Sequence, residues 1–206
     1  MALIMKNPQM KRLLILLILV SNLTFSQTNE NYQENLNKDF VEYNDLILKQ
    51  EFEKSMDYML PEFFEIIPKN QMVMLMKQVY NNPDLEFKMD KPKDISYGEP
   101  KKIEEKYYSA ITYSYDIKMK FNNVDKSEDE EQNELNKNLM KLTLEKTFGS
   151  GNVNFNHETE FYEIHSIKNA FGISENGTSD WKFVVVEPKQ KFILEKILPK
   201  ELTEKL

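Results

Sequence analysis

The chain holds two histidines, His157 and His165, with carboxylates close by in sequence. His157-Glu158 opens as a zinc-protease helix does, but Phe161 stands where the second histidine is needed and the surrounding residues alternate as a strand. His165 is the stronger candidate. Alternation places it on one strand face with Phe161, Glu163 and Ile167, so an inward His165 beside Glu163 could act as a general base. Tyr113 and Tyr115 on a facing strand would then donate to a developing oxyanion, the arrangement for proton transfer beside a carbonyl. Such an isomerase or lyase needs no cofactor. The alternative for the same residues is a half-exposed histidine paired with Glu163. A metal shared by His157, Glu163 and His165 has suitable ligand types, but eight residues of strand span roughly 26 Å at about 3.3 Å each. The two histidines meet only if the chain turns between Asn156 and Thr159, and no metal is expected.

Other chemistries fare worse. There is no cysteine, so thiol catalysis and thiolate metal sites are excluded. No Gly-x-Ser-x-Gly elbow or phosphate-cradling glycine loop occurs. Asp125, Ser127, Asp129 and Glu131 alternate like a calcium loop, yet Glu130 and Asn136 stand where that loop wants glycine and glutamate. Met72, Met74 and Met76 suggest soft-metal binding, but helical spacing puts Met72, Leu75, Met76 and Val79 on one core-facing side and Met74 away from it.

The compartment is read from the N-terminus. Lys11 and Arg12 precede a wholly apolar run from Leu13 to Val20, and Thr24-Phe25-Ser26 puts small residues at the −3 and −1 positions before Gln27. This is the pattern of a secretory signal peptide over residues 1–26, too short to serve as a spanning helix, with Met1 or Met10 as its start. The expected product is exported, periplasmic or extracellular, and without an integral membrane segment. Cleavage leaves 24 basic against 34 acidic side chains, a formal charge of −10, which repels nucleic-acid phosphates and anionic headgroups. No nucleic-acid partner is expected. Lacking disulfides, the domain must be stabilised by packing alone.

The positioning elements follow from periodicity. Residues 27–35 are polar and read as a flexible tail, and residues 36–206 as a single domain. Leu36, Phe40, Tyr43, Ile47, Phe52, Met56 and Met59 recur at threes, fours and one five, which predicts one long amphipathic helix. Pro61 and Pro68 open two more, the second ending at Asn81-Asn82-Pro83. Strands are expected over 85–89 and 95–105. From Tyr107 to Phe121 the odd positions are mostly apolar or aromatic and the even ones mostly polar, a sheet buried on one face. A helix from Ser127, capped with Glu130, closes at Gly149 and Gly151; two strands, the turn 174–180, the strand from Trp181 to Glu187 and a C-terminal helix broken at Pro199 complete the chain. Asn176-Gly177-Thr178 forms a glycosylation sequon, but Asn-Gly suits a hairpin turn for backbone reasons alone.

This order, with a long first helix and the terminal strand "DWKFVVVE", resembles the NTF2-like superfamily over residues 36–190. The resemblance implies an α+β fold in which N-terminal helices pack into a strongly curved antiparallel sheet, a cone, here with an extra C-terminal helix. It also implies that a homodimer through the outer sheet face is permitted. It selects no activity, because such cones serve isomerases, cyclases, adaptors and exported proteins alike. Tyr113, Tyr115, Phe161 and Trp181 are the candidate lining for a ligand. The reading favoured by this aromatic face is a non-catalytic exported domain holding a small apolar molecule or a protein partner; the alternative is the isomerase or lyase using His165 and Glu163. Export predicts a mature N-terminus at Gln27, read by intact-mass or N-terminal analysis of the host-produced protein; a chain still starting at Met1 or Met10 overturns it.

Overall fold

The computed structural model describes residues 32–122 and 129–204. The leader, its cleavage site, Asp125 and Ser127 lie outside the described residues. The fold is α+β, with a seven-stranded antiparallel sheet that is not closed on itself.

Two long strands carry the sheet: β4 (Lys106–Phe121) and β6 (Phe161–Ser174). Three short strands line the free edge of β4 end to end: β1 (Leu85–Met89), β2 (Lys93–Tyr97) and β3 (Lys101–Ile103). Along the far edge of β6 lie β5 (Val153–Asn156) and β7 (Lys182–Val186). The expected strand over 95–105 is therefore two strands. Gly98-Glu99-Pro100 separates them, and Pro100 has no N–H to offer the ladder.

The β4–β6 register puts the odd residues of β4 and the even residues of β6 on one face. Helix α1, residues 32–48, covers one end of it: Tyr32, Leu36 and Phe40 pack on Ile111, Tyr113, Ala170, Trp181 and Phe183. Helix α4 (Glu130–Phe148) covers the other end, with Leu144 against Ile117, Val153, Tyr162 and Ile164. Among the described residues the opposite face is covered at the β3–β7 end alone. There α5 (Lys191–Ile197) and α6 (Lys200–Thr203) close over Tyr108, Ile173, Val184 and Val186.

Three expectations are corrected. Residues 32–35 belong to α1 and are not a flexible tail: Tyr32 is buried and Asn35 Nδ2 donates to the Thr178 carbonyl at 2.9 Å. The long helix of residues 36–59 breaks after residue 48, where Gln50 takes a left-handed φ of 59°. The single five-residue gap between Ile47 and Phe52 is the mark of that break. It turns the chain back, so that α2 (Phe52–Ser55) and a 3-10 turn bury Phe52 and Met56 against Val73 of α3 (Lys69–Tyr80). Helix α4 begins at Glu130 with Asp129 as its N-cap, the carboxylate accepting from the Glu131 N–H at 2.9 Å.

Trp181 ties these parts together. It is fully buried at the root of β7, and its backbone N–H donates to Asp39 of α1 at 3.0 Å. In the preceding turn the Asn176 side chain accepts from the Thr178 and Ser179 N–H groups at 2.8 and 2.9 Å. Gly177 holds φ +74° there, and a Cβ would approach the Tyr107 ring to 2.7 Å. Among the described residues the buried Trp181 Nε1 has no hydrogen-bond partner. Replacing Trp181 by alanine is expected to cost about 3–5 kcal/mol in urea unfolding, and Trp181→Phe clearly less, since phenylalanine keeps most of the ring and removes the unpaired N–H. Equal losses in the two variants would count against this account.

Candidate functional site

The residues proposed to line a ligand site are part of the packed core or stand apart from it. Tyr113 is 7% exposed, edge-on to Phe40 at 5.1 Å and stacked with Tyr115 at 5.9 Å. Burial pushes its hydroxyl far above the ordinary tyrosine value, and pushes that of Tyr43 up to about 12. Both stay neutral packing groups. Trp181 shares this cluster, whereas Tyr115 bridges it to the α4 end of the core. Phe161 sits at the far end of β6 on the opposite face, with the Lys88 ammonium 4.6 Å from its ring centre.

His165 also faces away from α1 and α4. The expectation of an inward His165 beside Glu163 is corrected: its side chain is 51% exposed, and its partner is Asp116, directly opposite on β4. Side chains opposite each other across a ladder stand closer than residues two apart on one strand. That proximity selects Asp116 over Glu163. Glu163 accepts instead from Asn156 Nδ2 at 3.2 Å. His157 lies in the turn between β5 and β6, edge-on to Phe155 at 5.0 Å, and His165 is four residue pairs further along that hairpin. Among the described residues no group of three histidine or carboxylate side chains is placed to hold a metal ion.

The Asp116–His165 pair has a definite chemistry. His165 Nδ1 lies 2.8 Å from Asp116 Oδ1. An ionised carboxylate can only accept, so Nδ1 carries the proton and Nε2 is left for solvent or a substrate. Asp116 Oδ2 accepts from Lys93 Nζ. Hydrogen bonds from Lys93, foremost, and from His165 hold the Asp116 carboxyl below its usual range. Around the pair is a depression of about 570 Å³, also lined by Asp90, Asn152, Asn154 and Glu163. Sequence reasoning missed Asp116 because its only signal is the cross-strand register.

A second kind of site lies on the helices. Helix α4 turns Met140, Leu144 and Phe148 to the sheet, yet Leu135, Leu139 and Leu142 point outward at 51, 53 and 54% exposure. Spacings of four and three put them on one stripe. Helix α3 likewise buries Val73 and exposes Met74, Leu75 and Val79, which corrects the expectation that Leu75 and Val79 face the core. Single exposed apolar residues are ordinary; on α4 three leucines lie in one row.

The chain matches no protein-family model, no curated protein and no solved structure. Among the described residues no helix is long and apolar enough to cross a membrane.

The Asp116 shift has a stability consequence. A carboxyl depressed in the folded state stabilises the fold above its unfolded pKa, about 3.9, and loses that contribution as pH falls through the folded value. Asp116→Asn should therefore narrow the stability difference between pH 7 and pH 3 by about 1 kcal/mol or less, the range for exposed ion pairs. Urea unfolding at both pH values measures it, and an unchanged difference would show that Lys93 and His165 do not stabilise this carboxylate in the folded chain.

Proposed function

We propose that this chain is an exported, non-catalytic protein-interaction domain with an NTF2-like arrangement of helices on an antiparallel sheet. The observation that carries the reading is a contrast between two surfaces. Where a cone would hold a small molecule, α1 packs Leu36 and Phe40 onto Tyr113 and Trp181; on α4, three leucines stand exposed in a row. Apolar surface left in water at one continuous stripe gains free energy when another protein covers it. A small apolar ligand would need a concavity that buries most of its surface; the outer face of α4 is convex, and the depression of about 1020 Å³ beside α3, lined by Val73, Met74 and Lys77 among others, is wide open to solvent.

A second reading rests on the 2.8 Å bond between Asp116 and His165. A carboxylate that fixes the tautomer of an accessible imidazole is the arrangement of a general base. It differs from the expected enzyme site in its carboxylate and in the face of the sheet, and Lys93 beside it suits an anionic substrate.

Both are tested on protein isolated gently from its own host. Native mass spectrometry is expected to show no small-molecule adduct, and a photo-crosslinker at Leu139 is expected to yield protein adducts that one at Thr112 does not. A retained small molecule would remove the interaction reading. For the second reading, any turnover found in the wild-type chain should vanish in a folded His165→Gln variant; unchanged turnover excludes it.

A further inference from the structure

We infer that the outer stripe of α4 pairs with the same stripe of a second copy, the two helices running antiparallel about a two-fold axis between Asn138 and Leu139. The inference rests on the interaction reading above and names the partner. Its basis is the order of side chains along the stripe. Glu131, Leu135, Leu139, Leu142 and Lys146 follow one another at spacings of four, four, three and four residues, which keeps all five on the side of α4 away from the sheet.

This order is self-complementary. An axis that sets Leu135 against the partner's Leu142 also sets Glu131 against the partner's Lys146, because both pairs share one midpoint. The Leu139 side chains of the two copies then meet beside the axis. A two-fold contact requires that one patch complement itself in this way, each pair occurring twice. A foreign partner imposes no such symmetry on the stripe. Among the described residues neither Glu131 nor Lys146 takes part in an ion pair, so both are available at the rim.

Charge also chooses the direction. Glu130, Glu131 and Glu134 outnumber Lys137 in the N-terminal half of α4, and Lys141 and Lys146 outnumber Glu145 in its C-terminal half. Antiparallel pairing sets each half against its opposite and opposes the two helix dipoles. Parallel pairing would set Glu131 against the partner's Glu131 and lysine against lysine, which disfavours it. The contact runs over about four helical turns and is small, so a dissociation constant on the order of 10–100 µM is expected.

Sedimentation velocity on the host-produced form of the chain, from about 1 to 500 µM to bracket that constant, tests the pairing. The wild type should move from monomer to dimer with concentration. Leu139→Glu, at a half-exposed position that leaves the core untouched, should stay monomeric with an unchanged circular dichroism spectrum. Glu131→Lys and Lys146→Glu should each weaken the dimer about five- to tenfold, because each meets a like charge at both ends. The double variant Glu131→Lys/Lys146→Glu should recover wild-type affinity, which only an antiparallel two-fold predicts. A wild type that stays monomeric throughout, a dimer indifferent to Leu139→Glu, or a double variant that fails to recover overturns the inference. A monomer that still crosslinks to another protein from Leu139 loses the self-pairing and keeps the interaction reading; a monomer carrying a small molecule loses both.

Discussion

Thirteen consecutive residue pairs join β4 to β6, from Tyr107 opposite Ser174 to Met119 opposite Tyr162, without a bulge. Each of the other five strands pairs along β4 or β6, and β7 adds one bridge, Phe183 to Met59, so this one ladder sets their positions. It also sets the faces. A slip of one residue would turn Ala170 and Ile164 outward and bring Phe171 and His165 beneath the helices. Leu36 already lies so close to Gly172 that a Cβ there would come within 2.6 Å of it. The close fit of α1 on the sheet therefore depends on the register and defends it.

The two faces of the ladder differ along their length. On the face under α1 and α4, apolar side chains run from Ile111 to Phe121 almost without interruption. The opposite face changes character halfway. Tyr108 and Ile173 are buried by the C-terminal helices, whereas Thr112 bonds Asn169 at 2.9 Å and Asp116 bonds His165 in the open. The cover stops where the cross-strand pairs become polar, as expected when burying an unpaired polar group costs more than the apolar contact returns.

Helix α4 is built on the reverse principle. Its inner side supplies Leu144 and Phe148 to the core, which suffices to hold it on the sheet. The outer leucines add nothing to the stability of one isolated chain and leave apolar area in water. A helix with two apolar sides has two things to pack against. The first is present in the fold, and the functional reading concerns the second.

The sequence by itself determined the local elements and their chemistry: the odd-numbered apolar face of β4, the prolines that open the short helices, the Asn-Gly turn before Trp181, and the absence of thiol and glycine-loop catalysis. These are written in neighbouring residues, through periodicities of 2 and 3.6 and through backbone preference. What lay far apart in sequence was decided by the tertiary structure. Alternation alone could not say which face of β6 is inner, because apolar residues occur at both parities; the register with β4 chose, placing His165 outside and giving it Asp116 in place of Glu163. Nor could it say that Asp39 and Asn35 bind the β6–β7 turn, which made helix of an expected tail. A single side chain reports its own preference for water or core, but its partner is chosen by elements more than forty residues away, and only the assembled sheet brings them within hydrogen-bond reach.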